Sequence, residues 1–267
     1  MRVVDAHLHL WRREPGRYAW LDTKGVDLIA HTWDAEDARS ALAPTPVDHV
    51  VLVQAENSHA DTRDMLAAAD EWDAVAGVVA WAPLADDLEG LPDDPRIVGV
   101  RHLNHDEPDP AWLARPEHLQ GLAQVAARRL TFDVVGVTER HLRDAAAIAK
   151  ALPELTVIVD HLGSPPIAQQ GWEPWASAVT AVAEQPNTFM KVSGLSTLAG
   201  DHYTAAGIAR YLEHARELFG EARLMYGGDW PVCRLAATYE EMWRVVREAT
   251  QGWGRQFLEA RAYRLPS

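Results

Sequence analysis

The chain of 267 residues contains a single cysteine, Cys233. One thiol excludes an internal disulfide and any zinc centre built from several thiolates. It suits a reducing compartment, so a cytoplasmic setting is the expectation. Long hydrophobic runs are also missing. No stretch of about 18 apolar residues occurs, so no transmembrane helix is expected. The first apolar strand begins at Val3, and no cleavable leader is expected before it. Positive charge is scarce: 25 Lys and Arg stand against 39 Asp and Glu, a net charge of −14. Nucleic acid and anionic membrane surfaces both reward cationic partners, and neither is expected to bind. There is no internal repeat, low-complexity tract or interdomain linker, and residues 1–267 read as one domain. Nothing in the pattern assigns an oligomeric state.

What the chain does have is a series of short apolar strands. They cover Val3–His9, Val50–Gln54, Val75–Trp81, Ile97–Arg101, Leu130–Val135, Leu155–Asp160, Thr188–Val192 and Arg223–Gly227. Their continuous Val, Ile and Leu content is the mark of strands buried on both faces of a parallel sheet. Helical segments fall near 34–42 (capped by Thr32 or Asp34), 60–72, 117–129, 138–151, 172–184, 202–219, 239–250 and 254–263. The helix near 202–219 has a natural stop at Gly220. A Pro- and Asp-rich bend leaves little room for a helix between the third and fourth strands. Eight strands alternating with helices in a chain of this length predict an α/β fold, a (β/α)8 TIM barrel of about 250 residues. The rival is an open doubly wound sheet, which calls for a Gly-rich phosphate loop after the first strand. Here that strand runs into His-Leu-His-Leu-Trp instead.

Barrel active sites sit at the C-terminal ends of the strands. His7 and His9, two apart on a strand, point to the same face. The other strand ends supply Gln54, Arg101, Asp133, His161 and Asp229. Three imidazoles and a carboxylate suffice for one divalent metal with an open position, so His7, His9, His161 and Asp229 are the candidate ligands, with zinc the first expectation. Trp20, Gln54, Trp81, His105 and Trp230 are candidates to read substrate hydroxyls and ring faces. Trp11 could share in walling such a pocket. Lys191 lies inside the seventh strand and could reach a polar partner at the rim. His31, His49, His59, His118, His141, His202 and His214 fall on loops or helices and read as ordinary surface or core histidines. Cys233 reads as a small apolar residue.

Asp5-Ala6-His7-Leu8-His9 resembles the first-strand signature of the amidohydrolase superfamily. Asp160-His161-Leu162-Gly163 and Gly228-Asp229-Trp230-Pro231 resemble its later motifs. With Gly99-Val100-Arg101-His102 and Lys191-Val192-Ser193-Gly194-Leu195, the chain is similar to the sugar-lactone hydrolase branch of the amidohydrolase 2 type, through Ala260-Arg261-Ala262-Tyr263. That branch includes L-fuconolactonase-like and L-rhamnonolactonase-like proteins. The resemblance implies a TIM barrel that hydrolyses a small-molecule lactone. There are departures. Many amidohydrolases bridge two metals with a carboxylated Lys or a Glu on the fourth strand and use a His on the fifth. Here the fourth strand ends in Arg101, permanently cationic and unable to ligate, and the fifth offers Asp133. The resemblance therefore implies at most one metal, and catalysis by imidazoles and Arg101 without a metal stays open. Gly228 stands where Ser is frequent, and Glu259 where Asn is common.

For lactone opening, Asp229 is the expected general base. It would take a proton from water and return it to the departing ring oxygen. His161 and Arg101, or a metal on the His cluster, would stabilise the carbonyl oxygen as it turns anionic. Arg101 could alternatively grip a substrate group through its planar fork, or pair with Asp133 across the barrel mouth. The sequence leaves three alternatives: a metal-dependent decarboxylase of the same superfamily, a hydrolase of a pyrone or muconolactone-type lactone, and a non-catalytic sugar-acid binder.

Overall fold

Each of the eight apolar runs forms a strand: β1 (Val4–Leu8), β2 (His49–Val53), β3 (Val75–Ala80), β4 (Ile97–His102), β5 (Thr131–Val134), β6 (Thr156–Val159), β7 (Thr188–Val192) and β8 (Leu224–Tyr226). The computed structural model, which describes residues 2–265, pairs them in parallel in the sequential order β1 to β8. This is the expected (β/α)8 barrel.

Between the strands run α1 (Ala35–Leu42), α2 (His59–Glu71), α3 (Pro116–Ala127), α4 (Glu139–Ala151), α5 (Trp175–Ala183), α6 (Leu195–Ala199), α7 (Ala205–Phe219) and α8 (Tyr239–Ala249). Many helix starts are written locally. Asp34 accepts hydrogen bonds from the amides of Glu36 and Asp37 in a capping box, and Ser58, Thr138, Thr204 and Thr238 each accept from an amide three residues on. Each such cap contributes about 1 kcal/mol. Between β3 and β4 there is only a single 3-10 turn, Leu84–Asp86, as the short spacing predicts.

Two stretches depart from the expected pattern. The short helix α6 follows β7 directly. The helix expected over 254–263 is instead two 3-10 turns, Arg255–Leu258 and Arg261–Tyr263, with Ala260 at φ 46° between them. The reason is tertiary. Tyr263 is buried in the cluster that fills the barrel interior with Val51, Val53, Val79, Ile158 and Met225, and its hydroxyl donates to Asp133. Burying a tyrosine and satisfying its hydroxyl outweighs the modest helix propensity of Ala260-Arg261-Ala262.

The seam between the first and last strands closes where the candidate residues lie. The Asp229 amide donates to the His7 carbonyl and the His9 amide to the Trp230 carbonyl, each at 2.7 Å. Asp5, fully buried, clamps the same seam. Its Oδ1 accepts from the amides of His7 and Gly228 at 2.8 Å, and its Oδ2 accepts from the Tyr239 hydroxyl at 2.7 Å. Burial pushes the Asp5 carboxyl up to about 6 despite these donors. The clamp explains the glycine at 228. A Cβ there would stand 2.3 Å from Tyr239 Cε2 and 2.5 Å from Asp5 Oδ2. Gly228→Ser is therefore expected to cost about 1–3 kcal/mol by overpacking. In a Tyr239→Ala background the same substitution should cost at least ~1 kcal/mol less, as a double-mutant cycle on denaturant unfolding would show. Equal penalties in both backgrounds would mean that the ring is not what excludes the side chain.

Candidate active site

β1 ends by aiming two imidazoles at one point. His7 Nε2 and His9 Nε2 are 3.1 Å apart, and Asp229 Oδ1, from the loop after β8, lies 3.7 Å from the first and 3.4 Å from the second. Three donors around an ion at zinc-like bond lengths in a tetrahedral arrangement would be about 3.4 Å apart. The observed spacings bracket that value, so the residues present fit a divalent metal. The His9 tautomer agrees. Its Nδ1 lies 2.7 Å from the Val53 carbonyl, which can only accept, so the proton sits on Nδ1 and the Nε2 lone pair faces the other two donors. Burial lowers the pKa of both imidazoles, most strongly for His7, where the Lys191 ammonium adds to the effect. Both are thus held in the neutral form that ligation requires.

The proposed fourth ligand is placed differently. His161 gathers with His7 and Asp160, sharing only His7 with the first triad. The His161 and His7 rings are 4.7 Å apart, and His161 Nδ1 lies 3.0 Å from Ser193 Oγ. His161 and Asp229 both hold left-handed backbone, at φ 53° and 51°. Such strain in non-glycine residues collects at functional sites, where surrounding contacts over-determine it. Gly194 makes room for both. A Cβ there would be 2.7 Å from His161 Nδ1 and 3.3 Å from Asp229 Oδ2.

Beneath the imidazoles lies a buried charge network that sequence reasoning only partly anticipated. Lys191 Nζ sits 2.6 Å from Asp133 Oδ2, 2.9 Å from Asp160 Oδ1 and 3.0 Å from His7 Nδ1, with every partner fully buried. Arg101 does not pair with Asp133, although the two are in register on β4 and β5. Its Nη1 donates to Asp160 Oδ2 at 2.9 Å and lies 3.3 Å from His7 Nε2, while its Nη2 donates to the Gln54 carbonyl. The long guanidinium reaches across to β6, whereas the short Asp133 carboxylate stays with Lys191. Burial alone would raise the Asp160 carboxyl, but Lys191, His7 and Arg101 outweigh it and hold it well below the usual carboxylate range. Asp160 was visible in the sequence only as part of a motif.

Above these groups opens a cavity of about 290 Å³. His9, Arg101, His161 and Asp229 line it, with Trp20 and His105 from the candidate substrate contacts. The Trp20 indole N–H donates to the Ala55 carbonyl, so the cavity meets the ring rather than its polar edge. The remaining candidates are not among the lining residues. Asp133 is sealed below with Lys191 and Tyr263. Gln54 is fully buried and spans Asn57 and the Arg101 carbonyl. Trp230 packs edge-on against Trp33. Trp11 is buried beneath Trp20.

Trp81 faces elsewhere and donates to His102 Nδ1 at 3.1 Å. An indole N–H can only donate, so the His102 proton sits on Nε2, which is 2.6 Å from Glu107 Oε1. His102 also stacks on Trp112. It anchors the loop that carries Leu103, His105 and Asp106 to the cavity, a part that sequence reasoning missed although His102 follows Arg101 directly.

A parallel eight-stranded barrel with a His-x-His pair on β1, a His after β6 and an Asp after β8 defines the amidohydrolase class of site. The sequence matches the Amidohydrolase family over residues 4–265, and the chain belongs to that family. Within it, the chain is 34% identical over 241 residues to an L-fucono-1,5-lactonase of Burkholderia ambifaria, covering 88% of this chain and 82% of that protein. It is 25% identical over 174 residues to an L-rhamnono-gamma-lactonase of Scheffersomyces stipitis, covering 57% and 51%. Among solved structures, an amidohydrolase from Burkholderia multivorans with bound zinc superposes with a TM-score of 0.91 at 28% identity over 100% of both chains. A 2,6-dihydroxybenzoate decarboxylase, at 13% identity and a TM-score of 0.64, shares the fold alone.

Proposed function

We propose that this protein hydrolyses a sugar-acid lactone of the L-fuconolactone or L-rhamnonolactone kind, opening the ring ester to the aldonate, and that residues 1–267 act as one domain. The observation that carries the reading is the convergence of Asp229, His9, His161 and Arg101 on the floor of one cavity. Asp229 has two oxygens with different surroundings. Oδ1 faces His7 and His9, while Oδ2 lies on the Gly194 and His161 side. Oδ2 takes the proton of the attacking water and returns it to the ring oxygen as the acyl bond breaks. Arg101 and His161 meet the carbonyl oxygen as it becomes anionic. Arg101 is held for this by Asp160 and the Gln54 carbonyl, so little reorganisation is needed during the reaction. A divalent ion held by His7 Nε2, His9 Nε2 and Asp229 Oδ1, zinc by its donor set, would add Lewis acidity toward the ester carbonyl and water.

The cavity walls match a deoxy-sugar lactone. Leu103, Val135, Val137, Leu198 and Val232 form an apolar side, and His105, Asp106, Ser164 and Thr197 add polar groups that can meet hydroxyls. L-Fuconolactone and L-rhamnonolactone carry a methyl group where common hexonolactones carry a hydroxymethyl. An apolar wall favours the methyl compound by about 10–100-fold in kcat/KM, the range for small apolar differences.

A pH-indicator screen of aldonolactones tests the reading. Hydrolysis is expected, fastest with the methyl-bearing lactones. Carbon dioxide release from aromatic acids without lactone opening would overturn it, as would tight lactone binding without turnover. Treatment with a chelator followed by desalting is expected to lower the rate by about 10²-fold or more, with recovery on adding zinc. An unchanged rate with zinc absent by elemental analysis would assign the electrophile to Arg101 and His161 alone.

A further inference from the structure

The network under the imidazoles carries an inference about Lys191. Its ammonium has three protons, and three acceptors stand around it: Asp133 Oδ2 at 2.6 Å, Asp160 Oδ1 at 2.9 Å and His7 Nδ1 at 3.0 Å. Lys191, Asp133, Asp160 and His7 all have zero solvent exposure. Two carboxylates and an imidazole converging on one dry point form a donor set that suits a divalent cation. The charges also close locally, since Lys191 and Arg101 offset Asp133 and Asp160. Without the ammonium, two buried carboxylates would face one another with only Arg101 beside them, and that is costly unless another cation arrives. His7 joins the two levels, with Nε2 toward His9 and Asp229 and Nδ1 toward Lys191.

We infer that the Lys191 ammonium is a tethered cation standing in a second ion position, and that it confines metal binding to the upper triad of His7, His9 and Asp229. Lys191 is a positioning residue in this role. It touches neither the cavity nor a substrate, and it acts by filling the space between Asp133, Asp160 and His7. The inference does not rest on which lactone is cleaved. Its readout is the difference between variant and parent protein, whatever the parent itself holds.

The experiment compares full-length wild-type protein, Lys191→Ala and Lys191→Met after equilibration with zinc and desalting. Bound metal is counted by elemental analysis, and melting is followed with and without added zinc. Lys191→Ala opens the position and should hold one more ion per chain than wild type. Its melting temperature should also rise by several degrees more than that of wild type when zinc is added. Lys191→Met fills the same space with an apolar chain and should gain no ion. A folded Lys191→Ala protein with the wild-type metal count would overturn the inference. So would a Lys191→Ala protein that stays unfolded even with zinc supplied, because the ion would have replaced the missing charge. An equal gain in Lys191→Met would overturn the assignment of that position to the ammonium.

Discussion

Asp229→Asn is expected to leave the barrel folded and to lower lactone hydrolysis by about 10²–10⁴-fold, the range for losing a positioned general base. The substitution is nearly isosteric, and Asn tolerates the left-handed backbone at this position as well as Asp does. The seam contact from the residue 229 amide to the His7 carbonyl is unaffected, since it is made by backbone. What is lost is chemical. An amide cannot take a proton from water at neutral pH, and its nitrogen offers no lone pair to the point shared by His7 and His9. Initial rates from the indicator assay, read beside far-UV circular dichroism and thermal melting, test both halves. A near-normal rate would remove Asp229 from the proton-transfer role. A large loss of stability would mean that its carboxylate holds the β8–β1 seam instead.

The second large effect is expected at Arg101. Arg101→Met removes the donor to Asp160 Oδ2 and to the Gln54 carbonyl in a place almost without solvent. Breaking one side of a buried pair costs about 3–5 kcal/mol, and losing a charge aimed at the carbonyl oxygen costs about 10²–10³-fold in rate. Arg101→Lys separates the two contributions. It restores a positive charge near Asp160 and should recover much of the stability. A single ammonium cannot reach Asp160, the Gln54 carbonyl and the cavity together, so the rate should stay low. Full activity in Arg101→Lys would show that the planar fork is not used. Wild-type stability in Arg101→Met would show that Lys191 alone holds Asp160.

The strands of this barrel were legible because both faces of each are buried, which writes them as apolar runs. Helix starts were legible where a cap residue marks them, as at Asp34. The C-terminal segment was not legible as it folds, because Ala260-Arg261-Ala262 has local helix propensity and only the barrel interior supplies a reason to insert Tyr263. At the site, the approach of His7 to His9 followed from strand alternation. The partner of Arg101 did not follow. Registered neighbours on adjacent strands suggested Asp133, but side-chain length decided in favour of Asp160. Trp81 and Trp230 were reasonable aromatic candidates at strand ends, yet one turns toward His102 and the other toward Trp33.

By itself, then, the sequence determined the number and direction of the strands, the shared face of the first two histidines, and the family to which the chain belongs. These depend on periodicity and motifs within a few residues of one another. Only the tertiary structure decided which charges meet inside the barrel: Lys191 with Asp133 and Asp160, Arg101 with Asp160, and Asp5 across the seam to Gly228 and Tyr239. The physical reason is that alternation fixes which face of a strand a side chain takes, while its partner on another strand is set by barrel closure, side-chain reach and the cost of leaving a buried charge unmatched.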